Sequence, residues 1–448
     1  MIPASWRRGE IAVIGLGKSG AATAEFLSQR GLTVYASDCA DTARHRAAAE
    51  RVARPGITVE LGRHDIGRIR RSSLVVCSPG VPPEAEPLVA ARSAAVEVLG
   101  ELDLAALFLD EVKLVVVTGT NGKTTTTALI ERILTEAGLD AVAAGNIGSP
   151  LIEVAGAEVK PEWAIVEASS FQLHDASHLR PKIGVVTNLA PDHLDRYESV
   201  SEYYEDKRRL FLNASADATW VLNRDDARVL SLAERVAGVK RHWSMRQPED
   251  AWYDGDRECL VLGDGDLLQR SHLALLGDHN VANALAASLV ACVAGVDPGA
   301  IARGLRSFSP LPHRLEPVPS GGSVAWINDS KATNVASVMV AVAAMERCFV
   351  LIAGGRPKGE SFVELGESLQ ARCRGVVAYG ESRRIIENQV GRFVSVAAVP
   401  KFEDAVIRAR SLACSGDAVL LSPGCSSFDQ FENYQVRGDV FRELVGAM

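Results

Sequence analysis

The sequence predicts an α/β protein of three domains. Two observations carry this. At 448 residues the chain is too long for one compact core. It also shows three runs in which apolar β-forming segments alternate with helical stretches. The first run, within residues 10–110, contains "EIAVIG", "LTVYASD" and "SLVVCSPG", which read as parallel strands. The second opens at "KLVVVTG", continues through "WAIVEASS", "KIGVVTNL" and "ATWVLN", and passes into a β-like patch at 251–270. Helical stretches at 278–293 and 298–307 then lead to the proline-marked break "SPLPHR". The third run holds "VAWINDS", "CFVLIAGG", "GVVAYG" and "AVLLSPG". The expected domains are 1–102, 103–311 and 312–448.

Composition narrows the class. Net charge is −8, without a dense Lys/Arg block, so nucleic acid is not an expected partner. An anionic substrate must be met by locally placed cations. The eight cysteines form no CxxC pair, which points to reduced thiols in a cytoplasm. The start, "MIPASWRRGEIAVIG", lacks the apolar run of a signal peptide. "ALAASLVACVAGV" is too short to span a membrane, so no membrane insertion is expected.

"VVVTGTNGKTTTTALI" places a strand, a glycine turn and a helix start in succession. Backbone N–H groups at such a helix start make an anion site. Lys123 is placed for phosphate oxygens and Thr124 for magnesium. The common phosphate loop wants a glycine five residues before the Gly-Lys pair, where Val117 stands. The first glycine is Gly119, so the loop Gly119, Thr120, Asn121, Gly122, Lys123, Thr124, Thr125 is two residues short. The alternative is a β–α turn with Lys123 solvated.

A second glycine turn, "AVIGLGKSG", brings Gly15, Leu16, Gly17, Lys18, Ser19 and Gly20 after a strand. Asp38 ends the next strand, near the spacing at which dinucleotide folds contact a ribose. "CSPGVP", with Ser78, Pro79 and Gly80, ends a later strand on the same edge. Alone these suit a dehydrogenase, or a Rossmann turn without a ligand. Beside the stronger phosphate loop they suit an enzyme of ATP and a nucleotide-tagged substrate.

Further polar groups fall at strand C-termini, where such sheets bind ligands. Glu167 is placed as a second magnesium ligand. Asn188, Asp192, His193 and Asp195 follow another strand. Asn280 and Asn283 stand at a helix start; Asn283 is placed to read an adenine edge, and Asn280 alternatively to cap the helix. In the third run, His313, Arg314, Asp329, Lys331, Thr333, Asn334, Lys358, Ser426, Ser427, Phe428 and Tyr434 crowd the turns. Lys358 with Ser427 suits a carboxylate. In "SVSEYYEDKRRLFLNA", Val200, Tyr203, Tyr204, Lys207 and Phe211 share one helix face, with Asp206 off it. Lys207 therefore points inward, where desolvation favours the neutral amine. The alternative is a lysine that snorkels or pairs with an acid.

"TGTNGKTTT", "GNIG", "SSFQL", "DHLD", "HNVANALAA", "LPHR", "INDSKATN" and "SPGCSSFDQFENYQVRG" together resemble the Mur ligases, essentially over the whole chain. The last two most resemble the glutamate-adding branch. The resemblance implies a Rossmann-like N-terminal domain for a UDP-linked substrate, a central P-loop ATPase-like domain with a mostly parallel sheet, and a Rossmann-like C-terminal domain for the amino acid. It accounts for the short loop, since "GTNGKT" is the family's own. It implies ATP and two Mg²⁺ as cofactors, with Thr124 and Glu167 on one ion and His193 and a carbamylated Lys207 on the other. Lys123, His193 and Lys207 would be the catalytic groups. Asn146, Asn280, Asn283, Arg314, Asp329 and Lys331 would join the loop in holding ATP. Asn146, Ser169 and His193 would face the UDP substrate with the N-terminal turn residues. Thr333, Lys358, Ser427, Phe428, Tyr434 and His193 would line a D-glutamate pocket. A small-molecule enzyme, cytoplasmic and monomeric, is expected. An L-glutamate adder and folylpolyglutamate synthase are the rivals within the family. A dehydrogenase would leave two domains idle, and a phosphate-loop switch would need no amino-acid pocket.

Overall fold

The computed structural model describes residues 2–193 and 196–448. Three sheets organise them. The first contains β1 (Ile11–Ile14), β2 (Val34–Asp38), β3 (Ile57–Leu61), β4 (Leu74–Cys77) and β5 (Val98–Gly100). Its order is β3-β2-β1-β4-β5, all parallel. The chain reverses direction across the sheet between β1 and β4, and the crevice at such a switch point is where these sheets take ligands.

The central sheet runs from β6 (Lys113–Thr118) through β7 (Ala141–Gly145), β8 (Trp163–Glu167), β9 (Ile183–Val186), β10 (Thr219–Asn223) and β11 (Val239–Ser244). β12 (Ala251–Asp254), β13 (Cys259–Leu262) and β14 (Gly265–Gln269) complete it. The order is β14-β13-β12-β11-β10-β9-β6-β8-β7. β12 still runs parallel to β11, and only the β12–β13 and β13–β14 pairings are antiparallel, a meander at one edge. The third sheet has β15 (Glu316–Val318), β16 (Ala325–Asn328), β17 (Phe349–Gly354), β18 (Cys373–Tyr379), β19 (Val396–Val399) and β20 (Ala418–Leu421). Its order is β15-β16-β20-β17-β18-β19, with only β15 antiparallel.

Inner strands such as β1, β4, β9 and β20 are buried at every residue. That is the pattern of parallel strands covered on both faces, and helices supply the cover. The chain divides into two compact units, residues 1–272 with 282–307 and residues 273–281 with 308–448. The first and second sheets thus share a unit, and one apolar cluster runs from Trp6 through Val116 to Trp220.

Buried polar contacts join these two sheets. Asp103, wholly buried, accepts from the backbone N–H of His178 (2.5 Å), the Ser177 hydroxyl (2.8 Å) and His178 Nδ1 (2.9 Å). Glu101 Oε1 accepts from Ile152 N at 2.7 Å, while its buried Oε2 has no partner. Burial pushes the Glu101 carboxyl up to about 7. Its folded pKa lies above the unfolded value. Its stabilising share is therefore full below about pH 4.5 and is lost as pH rises toward 7. Glu101→Gln keeps an acceptor for Ile152 and carries no charge. It should raise stability at pH 8 by up to about 3 kcal/mol and change it little at pH 4.5. Urea unfolding at both pH values checks this; equal effects at the two would refute it.

Candidate active site

The phosphate loop is held from below. Thr120 N donates to Asn188 O at 2.9 Å. The Asn188 side chain accepts from Asn121 N (3.0 Å) and donates to Asn121 O (3.0 Å). Thr187 Oγ1 donates to the same carbonyl at 2.6 Å. Gly122 has φ +84°, and a Cβ there would come within 2.3 Å of Asn283 Oδ1. Asn283, buried, thus packs directly on the loop and accepts from the Thr126 hydroxyl at 3.3 Å. Thr124 and Thr125 lie in the first turn of the helix Lys123–Glu136, so the N–H groups of that turn face the loop.

Two lysines converge on one oxygen. Lys123 Nζ donates to Gly119 O at 2.9 Å and to Thr120 O at 2.7 Å. Lys207 Nζ donates to Gly119 O at 2.8 Å. Lys207 is only 1% exposed, so it does not snorkel, and among the described residues no carboxylate lies within ion-pair distance of it. Burial pulls its pKa well below the ordinary lysine value, and the Lys123 charge lowers it further; Asp192 and Asp206 oppose both. The ammonium position lies 4.5 Å over the Tyr203 ring.

Tyr203 also meets His193. Their ring centroids are 6.1 Å apart, and the Tyr203 hydroxyl reaches Thr120 Oγ1 at 3.3 Å. His193 sits at φ +55° and packs edge-on to Phe171 at 5.0 Å. Phe171 stacks on Tyr197 at 5.5 Å. Asp206 departs from expectation. It is buried, accepting from His174 Nδ1 (2.9 Å) and Tyr197 OH (2.9 Å). The face pattern missed it because those partners come from other elements, which periodicity along one helix does not register. Asp195 lies outside the described residues.

Glu167 is 2% exposed at the end of β8. Asn146 Nδ2 donates to its Oε1 at 2.8 Å, and among the described residues Oε2 has no partner. A buried carboxylate oxygen left unpaired fits a cation that would satisfy it. Among the described residues, no group of three His, Cys, Asp or Glu could hold a metal alone. The protein donors therefore suit a cation that also takes phosphate oxygens. Ser169 caps the helix Ser170–His174, its hydroxyl accepting from Gln172 N at 3.2 Å.

At the N-terminal turn, Asp38 is engaged by the backbone. It accepts from Leu16 N (2.7 Å) and Ala40 N (2.9 Å), which fixes the glycine turn. Ser78 Oγ donates to Gly15 O at 2.8 Å, joining the "SPG" segment to that turn. Gly20 packs against the same carbonyl. Lys18 reaches Gly148 O in the segment after "GNI" at 2.5 Å. Gly17, Ser19, Pro79 and Gly80 line the same edge and are partly or fully accessible.

In the second unit, Asn280 is the third residue of the helix Asp278–Val293, so it is not the cap; its amide donates back to Leu276 O at 2.8 Å. Buried Asp329 accepts from Ser422 Oγ (2.9 Å) and Leu315 N (3.3 Å), and burial raises its carboxyl to about 7 against the pull of Arg314 and Arg437. Lys331 Nζ lies 4.0 Å over the Tyr434 ring. Lys358 Nζ reaches Thr333 Oγ1 at 3.5 Å. Ser427 is buried and Phe428 is exposed. The structure thus gathers Lys331, Thr333, Lys358 and Ser427 on loops at one sheet edge, with Tyr434 opening the helix Tyr434–Gly446.

A chain with a two-residue-short phosphate loop, a glycine-turn nucleotide fold before it and a third α/β sheet after it matches known proteins throughout. Residues 9–100 match the Mur ligase MurD-like N-terminal domain, 117–291 the Mur ligase middle domain and 313–425 the Mur ligase glutamate ligase domain. The chain belongs to the Mur ligase family. It is 40% identical to the UDP-N-acetylmuramoylalanine–D-glutamate ligase of Myxococcus xanthus, over 98% of each chain. It is 38% identical to the ligase of that name from Geotalea uraniireducens, over 98% of this chain and 97% of that one. In fold it resembles the UDP-N-acetylmuramate–alanine ligase of Thermotoga maritima (TM-score 0.63, 18% identity, 97% and 98% covered). It likewise resembles a pseudomurein peptide ligase of Methanothermus fervidus (TM-score 0.61, 21% identity, 98% and 99% covered). No helix among the described residues is long and apolar enough to cross a membrane.

Proposed function

We infer that this chain is an ATP-dependent ligase that joins D-glutamate to UDP-N-acetylmuramoyl-L-alanine, making a precursor of peptidoglycan. The observation that carries this reading is the convergence of Lys123 and Lys207 on Gly119 O, beside a buried Glu167 oxygen without a partner. Such a site suits a transferring phosphoryl group. The identity of the acceptor and of the amino acid rests on the full-length relatives.

A carboxylate does not form an amide unaided, because its oxygen is a poor leaving group. The substrate carboxylate attacks the γ-phosphorus of ATP and ADP departs, leaving an acyl phosphate. The glutamate amine then attacks the acyl carbon, loses a proton, and phosphate leaves. Lys123 and the N–H groups of its helix stabilise the charge on the phosphoryl oxygens. Magnesium, when bound, neutralises phosphate charge, with Thr124, Glu167, His193 and Lys207 as the donors we assign. His193 holds its place against Phe171 and Tyr203. For Lys207 we assign a carbamate. The neutral amine attacks carbon dioxide, an N–C bond forms and a proton leaves to water. The nitrogen keeps one N–H, enough for the bond to Gly119 O.

The remaining assignments follow the family resemblance. Gly15 to Ser19, Asp38 and Ser78 to Gly80 take the UDP substrate with Asn146 and Ser169; Asn280, Asn283, Arg314, Asp329 and Lys331 serve ATP. Thr333, Lys358, Ser427, Phe428 and Tyr434 take D-glutamate. We place the domains at 1–102, 103–311 and 312–448, and the protein as a cytoplasmic monomer. ADP release should require both UDP-N-acetylmuramoyl-L-alanine and D-glutamate in an assay over a panel of amino acids with both glutamate enantiomers. Preference for another amino acid would change the substrate; turnover with NAD and a hydroxy acid, and none here, would end the reading.

A further inference from the structure

Arg437 is the one charged group of the second unit that the reaction leaves without a part and that the fold buries completely, at 0% exposure. Its guanidinium makes four hydrogen bonds, all to neutral groups. Nε donates to Ser330 Oγ at 2.9 Å and Nη2 to Ser330 O at 2.8 Å. Nη1 donates to Tyr379 OH at 3.1 Å and to Cys425 O at 3.2 Å. Among the described residues no carboxylate lies within ion-pair distance of it. A buried cation without a counterion is expensive, and neutral acceptors offset only part of that cost. Its place within the opening turn of the helix Tyr434–Gly446 adds to the expense, because the positive end of the helix dipole lies there. Methionine or leucine would fill the volume without either penalty.

What the arginine touches gives its purpose. Ser330 follows β16, Tyr379 ends β18 and Cys425 follows β20. Gly355, just after β17, packs against Nη1, where a Cβ would lie 3.3 Å away. These strands are four consecutive members of the sheet, in the order β16-β20-β17-β18. The guanidinium therefore sits under the C-terminal edge of the whole central part of the sheet. The loops it braces are those that carry Thr333, Lys358 and Ser427. A planar fork with fixed donor directions sets the spacing of such loops, which a flexible ammonium does not.

We propose that Arg437 is a positioning residue for the amino-acid substrate: it fixes the spacing of the three loops that receive D-glutamate, and its unpaired charge favours a substrate bearing two carboxylates. This rests on the functional reading above. Both carboxylates of glutamate would lie in the field of a cation whose hydrogen-bond partners are all neutral, and burial pushes Asp329, the buried carboxyl that feels this cation, toward its neutral form. That field acts through low-dielectric protein and is weakly screened.

The test is steady-state kinetics of Arg437→Met and Arg437→Lys with each substrate varied in turn. Arg437→Met should raise the KM for D-glutamate about tenfold or more, and leave that for the UDP substrate, whose assigned residues all belong to the first unit, within about twofold. Arg437→Lys keeps charge and loses the fork, so its D-glutamate KM should lie between wild type and Met. A purely structural arginine predicts otherwise: all three KM values rise together as Tm falls, and that result overturns the proposal. So does an unmoved D-glutamate KM in both variants. Should Arg437→Met fail to fold, the lysine variant alone decides, by the same split between D-glutamate and the UDP substrate. Wild-type ADP release that ignores D-glutamate would sink the functional reading, and is seen before any variant is made.

Discussion

Lys123→Ala should abolish most phosphoryl transfer while the fold survives. In single-turnover assays the rate is expected to fall about a hundredfold or more, the usual cost of losing one preorganised charge-stabilising donor. The side chain is half-buried and donates hydrogen bonds to two carbonyls of its own loop. Two such bonds are worth on the order of 1 kcal/mol each, so the unfolding midpoint should move by only a few degrees. Asn188 and Thr187 hold the loop independently of the lysine. A folded variant with near-normal rate would refute the phosphate-loop assignment.

Lys207→Ala should be inactive, and short carboxylates such as acetate should restore part of its activity. Lys207 is enclosed, its amine is biased toward the neutral form by burial and by Lys123, and Tyr203 walls one side. If the working group is a carbamate, what alanine removes is an anion, which acetate supplies. Lys207→Arg should not substitute, since guanidinium stays cationic and does not take up carbon dioxide. Carbon-13 bicarbonate should give the wild type a carbamate NMR signal that Lys207→Ala lacks. No such signal, together with full activity in Lys207→Arg, would return Lys207 to a packing role.

The inner strands were legible in the sequence because burial on both faces writes an unbroken apolar run. "VVV" of β6 and "WAIV" of β8 are examples, every one of those residues buried. The edges were not. The edge strands β3, β7 and β19 are mostly half-buried, and β11, though paired on both sides, alternates exposed with partly buried residues before a buried end, so none leaves a comparable run. Glycine and lysine identities located the phosphate loop, since few other arrangements place Gly-Lys-Thr after an apolar strand. That Gly119 O gathers two lysines could not be read, because Lys207 stands 88 positions from Gly119 along the chain. Asp206 and Arg437 escaped for the same reason: each is defined by partners on other elements.

The shared oxygen of Gly119 has a bearing on how any pair of substitutions there must be interpreted. One carbonyl has two lone pairs, and the two lysines occupy them together. Each ammonium or amine is therefore part of the other's surroundings. Burial does most to bias Lys207 toward its neutral form and the Lys123 charge adds to it, so deleting Lys123 perturbs the second group as well as the first. The losses from the two single variants contain a common part. Their free energies in a double-mutant cycle will not sum, and the shortfall is a direct measure of how strongly one loop carbonyl couples phosphate binding to the chemistry of the buried lysine.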